Sequence, residues 1–459
     1  MDIEQIKYYF RKSFRILLIL LFLLIFFAFG LLAFTILSGG GPPITGQISN
    51  MVIAPFVPVL ILIIFPFSIL FYKLISPSKN QKKWALGIGL MGIILTGIFT
   101  LPFISIPLSQ IDHHQQFSTV FGEDWNKFDS EIEASFYQTP FNLIYTYFGA
   151  KDIENDVWDS EIGLIYKNTS DYTLKYDVYY PGPEANIQIG KYSTIIYVHG
   201  GGWAIGERNM AATRHKYFAS QGYVVFTIDY RLCDIKTSTM IKEESGLYFP
   251  ILDQINRAPD SNLVGDFTIE DMMIDLGNFT QFLADNEGKT RLHGADLDHV
   301  FLFGQSAGSH LAGLMAFGYN DDLSNPKWGL SENLIIRGAV LFYPPNNARR
   351  FFYEDHQFYY DAGFTKDKTP SDDPNFYDLY TPSQHIDEND PPCILFHGTS
   401  DSMVPIENSY EIFTQCEKNQ IDCILVENPF VGHAYDFSPS LRIMSTYYME
   451  RWLYLTNIQ

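Results

Sequence analysis

The 459-residue chain has few cysteines and shows none of the usual signatures of a bound metal or nucleotide. Four cysteines are too few for a fold built on disulfide bonds. The chain contains no H-E-x-x-H motif and no clustered Cys/His ligand pattern, so no metal or organic cofactor is expected. A glycine-rich stretch near residue 200 lacks both the G-x-G-x-x-G fingerprint and the Lys-Ser/Thr that follows the glycines of phosphate-binding loops. These absences disfavour a nucleotide-binding role.

The cysteines give little further guidance. Cys393 lies in the apolar run CILFHG, which predicts a buried free thiol. Cys416 and Cys423 are seven residues apart, and their pairing in an oxidising compartment stays open because spacing alone does not decide it.

Three long stretches are almost free of charge: residues 16–37, 51–72 and 84–108. Each exceeds about 18 residues, the length that indicates a membrane span rather than a core helix. A cleaved signal peptide is the alternative for the first stretch. It is disfavoured because the stretch is too long, has no small-x-small cleavage site and precedes two further apolar stretches. We therefore predict a region of three transmembrane helices over residues 1–108.

The distribution of positive charge predicts the orientation of these helices. Basic residues precede the first stretch and separate the second from the third, namely Lys7, Arg11, Lys12, Arg15, Lys73, Lys79, Lys82 and Lys83. The other two flanking segments, residues 38–50 and 109–126, contain no lysine or arginine. The positive-inside rule then places the N-terminus in the cytosol and the chain after residue 108 on the extracytoplasmic side.

The net charge of −21 is concentrated in the part of the chain after residue 108. Residues 1–108 contain eight basic and two acidic residues, whereas the remainder contains 23 basic and 50 acidic residues. Such an acidic domain repels phosphate backbones and anionic lipid headgroups, which argues against nucleic acid as a partner.

The chain after residue 108 divides into two parts that differ in their pattern of polar and apolar residues. Residues 109–155 are polar and acidic, and we interpret them as a connector. Residues 156–459 alternate short apolar runs with helix-like segments, which predicts a mostly parallel sheet covered by helices on both faces. Two connections, residues 232–268 and 344–391, are long enough to be insertions. The second is rich in aromatic residues, and two interpretations stay open, a cap over an apolar pocket or an insertion with its own small core.

The segment HVFLFGQSAGSHLAG contains the motif Gly304-Gln-Ser306-Ala-Gly308 between an apolar strand and a helix. The small residues allow a sharp strand-to-helix turn that exposes the serine hydroxyl, so Ser306 is the predicted nucleophile. The same turn places the Ala307 amide at the start of the helix, where it can donate to an oxyanion.

The glycine-rich stretch reads HGGGW, from His199 to Trp203, and follows an apolar strand. Upstream of a nucleophilic serine, such glycines let backbone N–H groups face a reacting oxygen without obstruction by a Cβ atom. The predicted donors are the amides of Gly201 and Gly202, with the Trp203 amide as a third candidate.

A nucleophilic serine needs a base, and the base needs an acid to orient it. In folds of this kind the acid follows the serine and the histidine comes last, which favours Asp401 and His433. The rival acids are Asp387, Glu388, Asp390 and Glu407, of which the first three precede the strand CILFHG and would lie at its wrong end. Three other histidines, His310, His385 and His397, are predicted to be structural or ordinary polar residues.

With these motifs in order, residues 160–455 resemble the α/β-hydrolase superfamily. Within it the chain looks most like the hormone-sensitive-lipase-like carboxylesterases, and its elbow and apolar stretches are similar to those of isoprenylcysteine methylesterases and related membrane-bound esterases. The motifs that carry the resemblance are YDVYYP, IIYVHGGGWAIG, GYVVFTIDYRL, FLFGQSAGSHLAG, ILFHGTSDSMVP and GHAYDF.

The resemblance implies the same catalytic set, with Ser306, Asp401 and His433 as the triad and Gly201, Gly202 and Ala307 as oxyanion donors. It also implies structural roles for Asp229 and Arg231. The sequence departs from the family at Gln305, where many members have an acidic residue.

Three functions remain under consideration. The first is a membrane-anchored serine hydrolase that cleaves a small-molecule or lipid-like carboxylic ester. The second is a peptidase or amidase on the same scaffold, and the third is a non-catalytic, membrane-tethered binding module.

Overall fold

The computed structural model describes residues 3–37, 81–136, 157–185, 189–235, 261–321, 325–437 and 439–459, and six residues between 63 and 70. The chain divides into two compact units. The first comprises Met1–Asp112, Gly398–Pro405 and Asn428–Leu441, and the second comprises His113–His397, Ile406–Glu427 and Arg442–Gln459.

Helices and strands alternate through most of the second unit. The helices are α1 Ile3–Leu37, α2 Gln81–Phe121, α3 Ser130–Ser135, α4 Ala212–Ser220, α5 Ile269–Ala284, α6 Ala307–Gly318, α7 Asn325–Trp328, α8 Phe358–Asp361, α9 Pro374–Leu379, α10 Glu407–Lys418 and α11 Pro439–Ile458. The strands are β1 Trp158–Asn168, β2 Thr173–Pro181, β3 Ser193–Val198, β4 Val224–Ile228, β5 Leu232–Cys233, β6 Val264–Gly265, β7 Asp296–Gln305, β8 Ile336–Phe342, β9 Cys393–Gly398 and β10 Cys423–Asn428.

In the first unit, α1 carries large apolar side chains that are more than half exposed. Leu17, Leu24 and Phe27 are 62%, 64% and 65% exposed. Exposed apolar surface on this scale indicates contact with something other than water. Of the described residues, one helical segment, Gln5–Leu31, is long and apolar enough to cross a membrane.

The structure gives less support to the other two predicted membrane spans than to the first. The stretch 51–72 falls mostly outside the described residues, and the described positions between 63 and 70 are helical. The stretch 84–108 is part of α2, which continues to Phe121, and only the shorter segment Gly89–Leu101 is strongly apolar. A region of three transmembrane helices thus remains a prediction, with one candidate span present in the structure.

The described apolar segments of this unit pack closely on one another. A Cβ atom on Gly92 of α2 would lie 1.9 Å from the Ser68 Oγ atom and 3.6 Å from the Phe26 ring of α1. The rings of Phe29 and Phe99 meet edge to face, with centroids 6.2 Å apart. A glycine at residue 92 is therefore required for the close approach of these segments.

The second unit is built on an eight-stranded sheet in the order β1-β2-β4-β3-β7-β8-β9-β10. Strand β2 pairs antiparallel with β1 and with β4. Strand β3 pairs parallel with β4 and β7, and β8 pairs parallel with β7 and β9. Every residue of β3, β4 and β9 is buried, which requires cover on both faces. The predicted mostly parallel sheet is confirmed.

Buried ion pairs hold the loops beside β4. Arg208 donates from Nε to Asp177 at 2.6 Å and from a terminal nitrogen to Asp229. Arg231 donates from Nε to Asp275 of α5 at 2.8 Å. Breaking a buried pair leaves an uncompensated charge, so these contacts fix the loop geometry. Asp229 and Arg231 thus make the structural contacts expected of them.

Strand β10 lies at one edge of the sheet, where the end of α2 contacts it. The Gln116 side chain accepts a hydrogen bond from the Leu425 amide at 2.7 Å and donates to the Leu425 carbonyl at 2.9 Å. The His113 ring lies 2.9 Å from the Glu427 carbonyl. Residues 113–121, predicted to belong to a connector, are therefore a helical part of the second unit.

Candidate active site

The serine turn lies between the end of β7 and the start of α6. Ser306 has φ 54° and ψ −123°, a backbone conformation that costs a non-glycine residue free energy and that persists only when its surroundings enforce it. A Cβ on Gly304 would lie 2.4 Å from the Gly308 carbonyl oxygen, and a Cβ on Gly308 would lie 2.1 Å from that of Val198. Both glycines are therefore sterically required, and the turn has the geometry of a nucleophile elbow.

Ala307 is the first residue of α6. The first amides of a helix have no intrahelical carbonyl to bind, and the helix dipole places partial positive charge there. The Ala307 amide thus lies at the helix start that the sequence predicts, and its role as an oxyanion donor stays a prediction.

Gln305 stands where many members of the similar family have an acidic residue. Its side chain is buried and hydrogen-bonded to two tyrosines. It accepts a hydrogen bond from the Tyr197 hydroxyl at 2.6 Å, and its Nε2 atom donates to the Tyr343 hydroxyl at 3.2 Å. A neutral amide serves both contacts without burying a charge, so Gln305 stabilises the elbow between β3 and β8.

The glycine loop, residues 199–206, lies directly against the elbow. A Cβ on Gly200 would be 2.6 Å from the Gln305 carbonyl and 3.3 Å from the Ser306 Cβ atom. Gly201 and Gly202 have φ values of 124° and 59°, in the region that side chains disfavour. The two predicted walls of the oxyanion hole therefore adjoin each other.

His199 stabilises the start of this loop. Its Nδ1 atom lies 2.8 Å from the Gly200 carbonyl, which only accepts, so Nδ1 is the protonated nitrogen. The Tyr230 ring stacks on it at 4.3 Å, and the Tyr230 hydroxyl donates to the His199 carbonyl. Burial lowers the pKa of His199 to about 4, so the ring is neutral near pH 7 and acts as a structural element.

Aromatic residues of the second insertion pack on the glycine loop. The Trp203 ring contacts Phe352, Tyr359 and Phe364 with centroids 4.9, 5.3 and 5.9 Å away. The Tyr359 hydroxyl donates to the Gly202 carbonyl at 3.0 Å. Of the two interpretations of residues 344–391, the contacts favour a cap. The aromatic side chains of this insertion pack on the glycine loop as well as on one another. The first insertion falls largely outside the described residues, at 236–260.

The predicted acid and base are brought together within the first unit. The His433 Nδ1 atom lies 2.7 Å from Asp401 Oδ2, and both side chains are almost fully buried. The other Asp401 oxygen accepts from the backbone amides of Met403 at 3.0 Å and Val404 at 2.9 Å. These bonds hold the carboxylate and place the imidazole proton on Nδ1, which leaves Nε2 as the basic nitrogen.

The three other histidines considered from the sequence contact groups other than Asp401. His310 lies 2.8 Å from the Tyr380 carbonyl, and burial lowers its pKa to about 4. His397 contacts the Ser409 hydroxyl at 2.7 Å, and His385 contacts Asp321 at 2.7 Å. Among the rival acids, Asp390 accepts from the Asp387 amide, and burial raises its pKa to about 7.

Sequence reasoning missed Tyr359 and the two tyrosine partners of Gln305. The only sequence signal for Tyr359 is the density of aromatic residues in the second insertion, which does not single out one of them. Its partner Gly202 lies 157 residues away along the chain.

Comparison with protein-family models identifies the domain. The BD-FAE family model matches residues 176–241 and 259–416, a span that includes the glycine loop and the serine elbow. The chain contains an esterase-type α/β-hydrolase domain.

Curated proteins named as ester hydrolases are similar to part of the chain. The chain is 27% identical over 158 residues to "Probable carboxylic ester hydrolase LipM" of Mycobacterium tuberculosis, a match that covers 34% of this chain and 36% of that protein. It is 26% identical over 153 residues to "Esterase LipQ" of the same organism, over 33% and 36% of the two chains. The match thus spans about a third of the length of these relatives.

A solved structure of esterase B from Lactobacillus rhamnosis is also similar to this α/β-hydrolase. It has 21% identity and a TM-score of 0.49, with 76% of this chain and 97% of that chain covered.

Proposed function

We propose that this α/β-hydrolase is a membrane-anchored serine esterase that cleaves carboxylic esters through an acyl-serine intermediate. The observation that carries the proposal is the Ser306 elbow, whose positive φ is enforced by two sterically required glycines and which adjoins the glycine loop. The BD-FAE match and the esterase names of the relatives support the ester class.

In the proposed reaction, Ser306 Oγ attacks the ester carbonyl while His433 accepts its proton. Asp401 keeps the imidazole in the tautomer with Nδ1 protonated and stabilises the imidazolium that forms. The amides of Gly201, Gly202 and Ala307 donate to the oxyanion. The alcohol leaves with the proton from His433, and water then cleaves the acyl-serine by the same steps in reverse order.

The aromatic cap supports apolar acyl esters as the substrate class. Phe352, Tyr359 and Phe364 surround the Trp203 ring beside the proposed oxyanion donors, so the insertion places buried apolar side chains next to the proposed reacting carbonyl. We expect esters with longer acyl chains to be cleaved with a lower KM than acetate esters.

The test is labelling of the detergent-solubilised chain with a fluorophosphonate probe, together with Ser306→Ala, His433→Ala and the exposed-serine control Ser371→Ala. We expect the wild type and Ser371→Ala to be labelled and the other two to lose labelling. Matched p-nitrophenyl esters and p-nitroanilides then separate an esterase from an amidase. A folded wild type that neither reacts with the probe nor cleaves either substrate would favour the binding-module hypothesis.

The proposal includes anchoring by the N-terminal apolar helices, with the N-terminus in the cytosol. The exposed leucine and phenylalanine side chains of α1 and the basic residues that precede its apolar part support it. In intact cells, added protease should remove a tag placed after Gln459 and spare a tag before Met1. The opposite pattern would overturn the orientation, and release of the chain by alkaline carbonate would overturn the anchoring.

A further inference from the structure

Three of the four cysteines converge at the start of the last two strands. Cys393 begins β9, Cys423 begins β10 and Cys416 lies on α10, and all three are buried. The Sγ atoms of Cys393 and Cys423 are 3.0 Å apart, and those of Cys393 and Cys416 are 3.8 Å apart. The three sulfur atoms lie within 4.8 Å of one another. The nearest pair therefore includes Cys393, which the sequence predicted to be a free thiol, and differs from the pair that the sequence left open.

The backbone at Cys393 and Cys423 suits a covalent link. Strands β9 and β10 are neighbours in the sheet, and the Cys393 amide donates to the Asp422 carbonyl at 3.0 Å. Neighbouring strands are about 4.8 Å apart, within the range of roughly 4.4–6.8 Å between Cα atoms that disulfides span. The sulfur atoms need to approach by only about 1 Å to reach the bonded distance of about 2.05 Å.

We propose that Cys393 and Cys423 form a disulfide that joins the starts of β9 and β10, with Cys416 as a third thiol in contact with it. The oxidant is a disulfide compound, written R–S–S–R. The thiolate of one cysteine attacks it, one R–S⁻ leaves, and the second cysteine then displaces the other R–S⁻ from the mixed disulfide. Two cysteine thiols are oxidised, one external disulfide is reduced to two thiols, and both protons pass to the leaving thiolates.

Geometry and charge disfavour a metal ion at this cluster. Zinc bound by thiolates at about 2.3 Å in a tetrahedron would hold the sulfur atoms about 3.8 Å apart, longer than the 3.0 Å between Cys393 and Cys423. Three thiolates would also add negative charge beside Asp390, whose carboxyl already has a pKa raised by burial. A neutral disulfide avoids that cost.

The proposed bond closes a loop that contains α10. Strand β9 leads to the loop with Asp401, and β10 leads to the loop with His433. The bond therefore joins the first residues of β9 and β10, the two strands that precede the proposed acid and base. Crosslinking of this kind stabilises mainly by restricting the unfolded chain. We expect oxidation to raise the Tm by several degrees without changing which residues react with substrate.

The pairing can be mapped because glutamyl endopeptidase separates the three cysteines. Cleavage after Glu388, Glu407, Glu411, Glu417 and Glu427 places them in fragments 389–407, 412–417 and 418–427. The full chain in detergent is incubated with glutathione disulfide or with dithiothreitol, with and without a subdenaturing concentration of guanidinium that opens the buried site. It is then alkylated under denaturing conditions, digested and analysed by mass spectrometry.

We expect glutathione disulfide to link fragments 389–407 and 418–427 with loss of two hydrogens, while fragment 412–417 carries the alkyl group. Cys416→Ser should retain the link and the Tm increase, and Cys393→Ser should lose both. Alkylation of all three cysteines with or without guanidinium, or a link between Cys416 and Cys423, would overturn the proposal. So would zinc that copurifies with the chain and is lost in Cys416→Ser.

Discussion

The glycine loop and serine elbow are fixed by backbone packing, whereas the Asp401–His433 pair is fixed by hydrogen bonds between side chains and to backbone amides. In the first region a single added Cβ atom would overlap a carbonyl oxygen, as at Gly308. In the second region a carboxylate accepts three hydrogen bonds. The comparison indicates that a substitution in the first region should affect folding, and one in the second should affect chemistry in a folded protein.

The largest effect is expected from Asp401→Asn. The amide has nearly the same shape but favours the wrong imidazole tautomer of His433, so kcat for ester hydrolysis should fall by about 10⁴-fold. The Tm should stay within a few degrees of the wild-type value. Glu407→Gln, a change at a rival acid, should retain activity. Loss of activity in Glu407→Gln rather than in Asp401→Asn would reverse the assignment.

Gly308→Ala should break the first region instead. Its Cβ would lie 2.1 Å from the Val198 carbonyl oxygen, so α6 cannot remain packed on β3, at a cost of about 4 kcal/mol or more. Chemical denaturation and soluble yield measure the effect. Gly313→Ala is the matched control on the same helix, since the nearest atoms to its Cβ would be side-chain atoms of Pro382, at 3.4 Å, and Leu341, at 3.6 Å. Equal stability of the two variants would show that packing does not fix the elbow.

A smaller effect is expected from Tyr359→Phe, which removes the hydroxyl that donates to the Gly202 carbonyl. One hydrogen bond contributes about 1 kcal/mol, so kcat should fall by about fivefold if the bond orients the Gly202 peptide. The KM for short-chain esters should change little. Tyr360→Phe, the adjacent control, should behave as the wild type. An unchanged kcat in Tyr359→Phe would limit the role of the cap to covering Trp203.

The last expected effect is on the pH dependence of the free energy of unfolding. Burial lowers the pKa of His199 and His310 to about 4, from an ordinary value near 6.5. The unfolded chain therefore binds more protons between pH 6.5 and 4, and the free energy of unfolding should fall as the pH falls through that range. Urea unfolding at pH 7.5 and 5.5 measures the difference. His310→Gln should reduce the difference between the free energies of unfolding at the two pH values. An unchanged difference in this variant would contradict the lowered pKa of His310.

Local motifs made the first region predictable from the sequence. The requirement for Gly304 arises from Gly308, four residues along the chain, so the strand-turn-helix context is visible in the chain itself. Gly308 is required by a long-range contact with Val198 of β3. The contact between Gly200 and Gln305 is not local, but both motifs lie at the ends of strands, and parallel neighbouring strands end at one edge.

The parts that could not be predicted depend on long-range contacts. The aromatic content of residues 344–391 indicates burial but does not select Tyr359 as the partner of Gly202. Sequence spacing left the pairing of Cys416 and Cys423 open, whereas the sheet order brings Cys393 nearest to Cys423. Hydropathy identified the apolar stretch in α2, but not that the helix continues to Phe121, because its last turns are polar and are held by contacts with β10.

The contact between Gln116 and Leu425 has a consequence for how the domain behaves in isolation. An edge strand with unpaired amides and carbonyls is a template on which a second molecule can extend the sheet. The Gln116 side chain imitates a peptide group, occupying both backbone hydrogen-bonding groups of Leu425 and so ending the ladder there. A shortened protein that begins after Phe121 would expose this edge and should self-associate, because the polar end of the apolar helix would no longer cover Leu425.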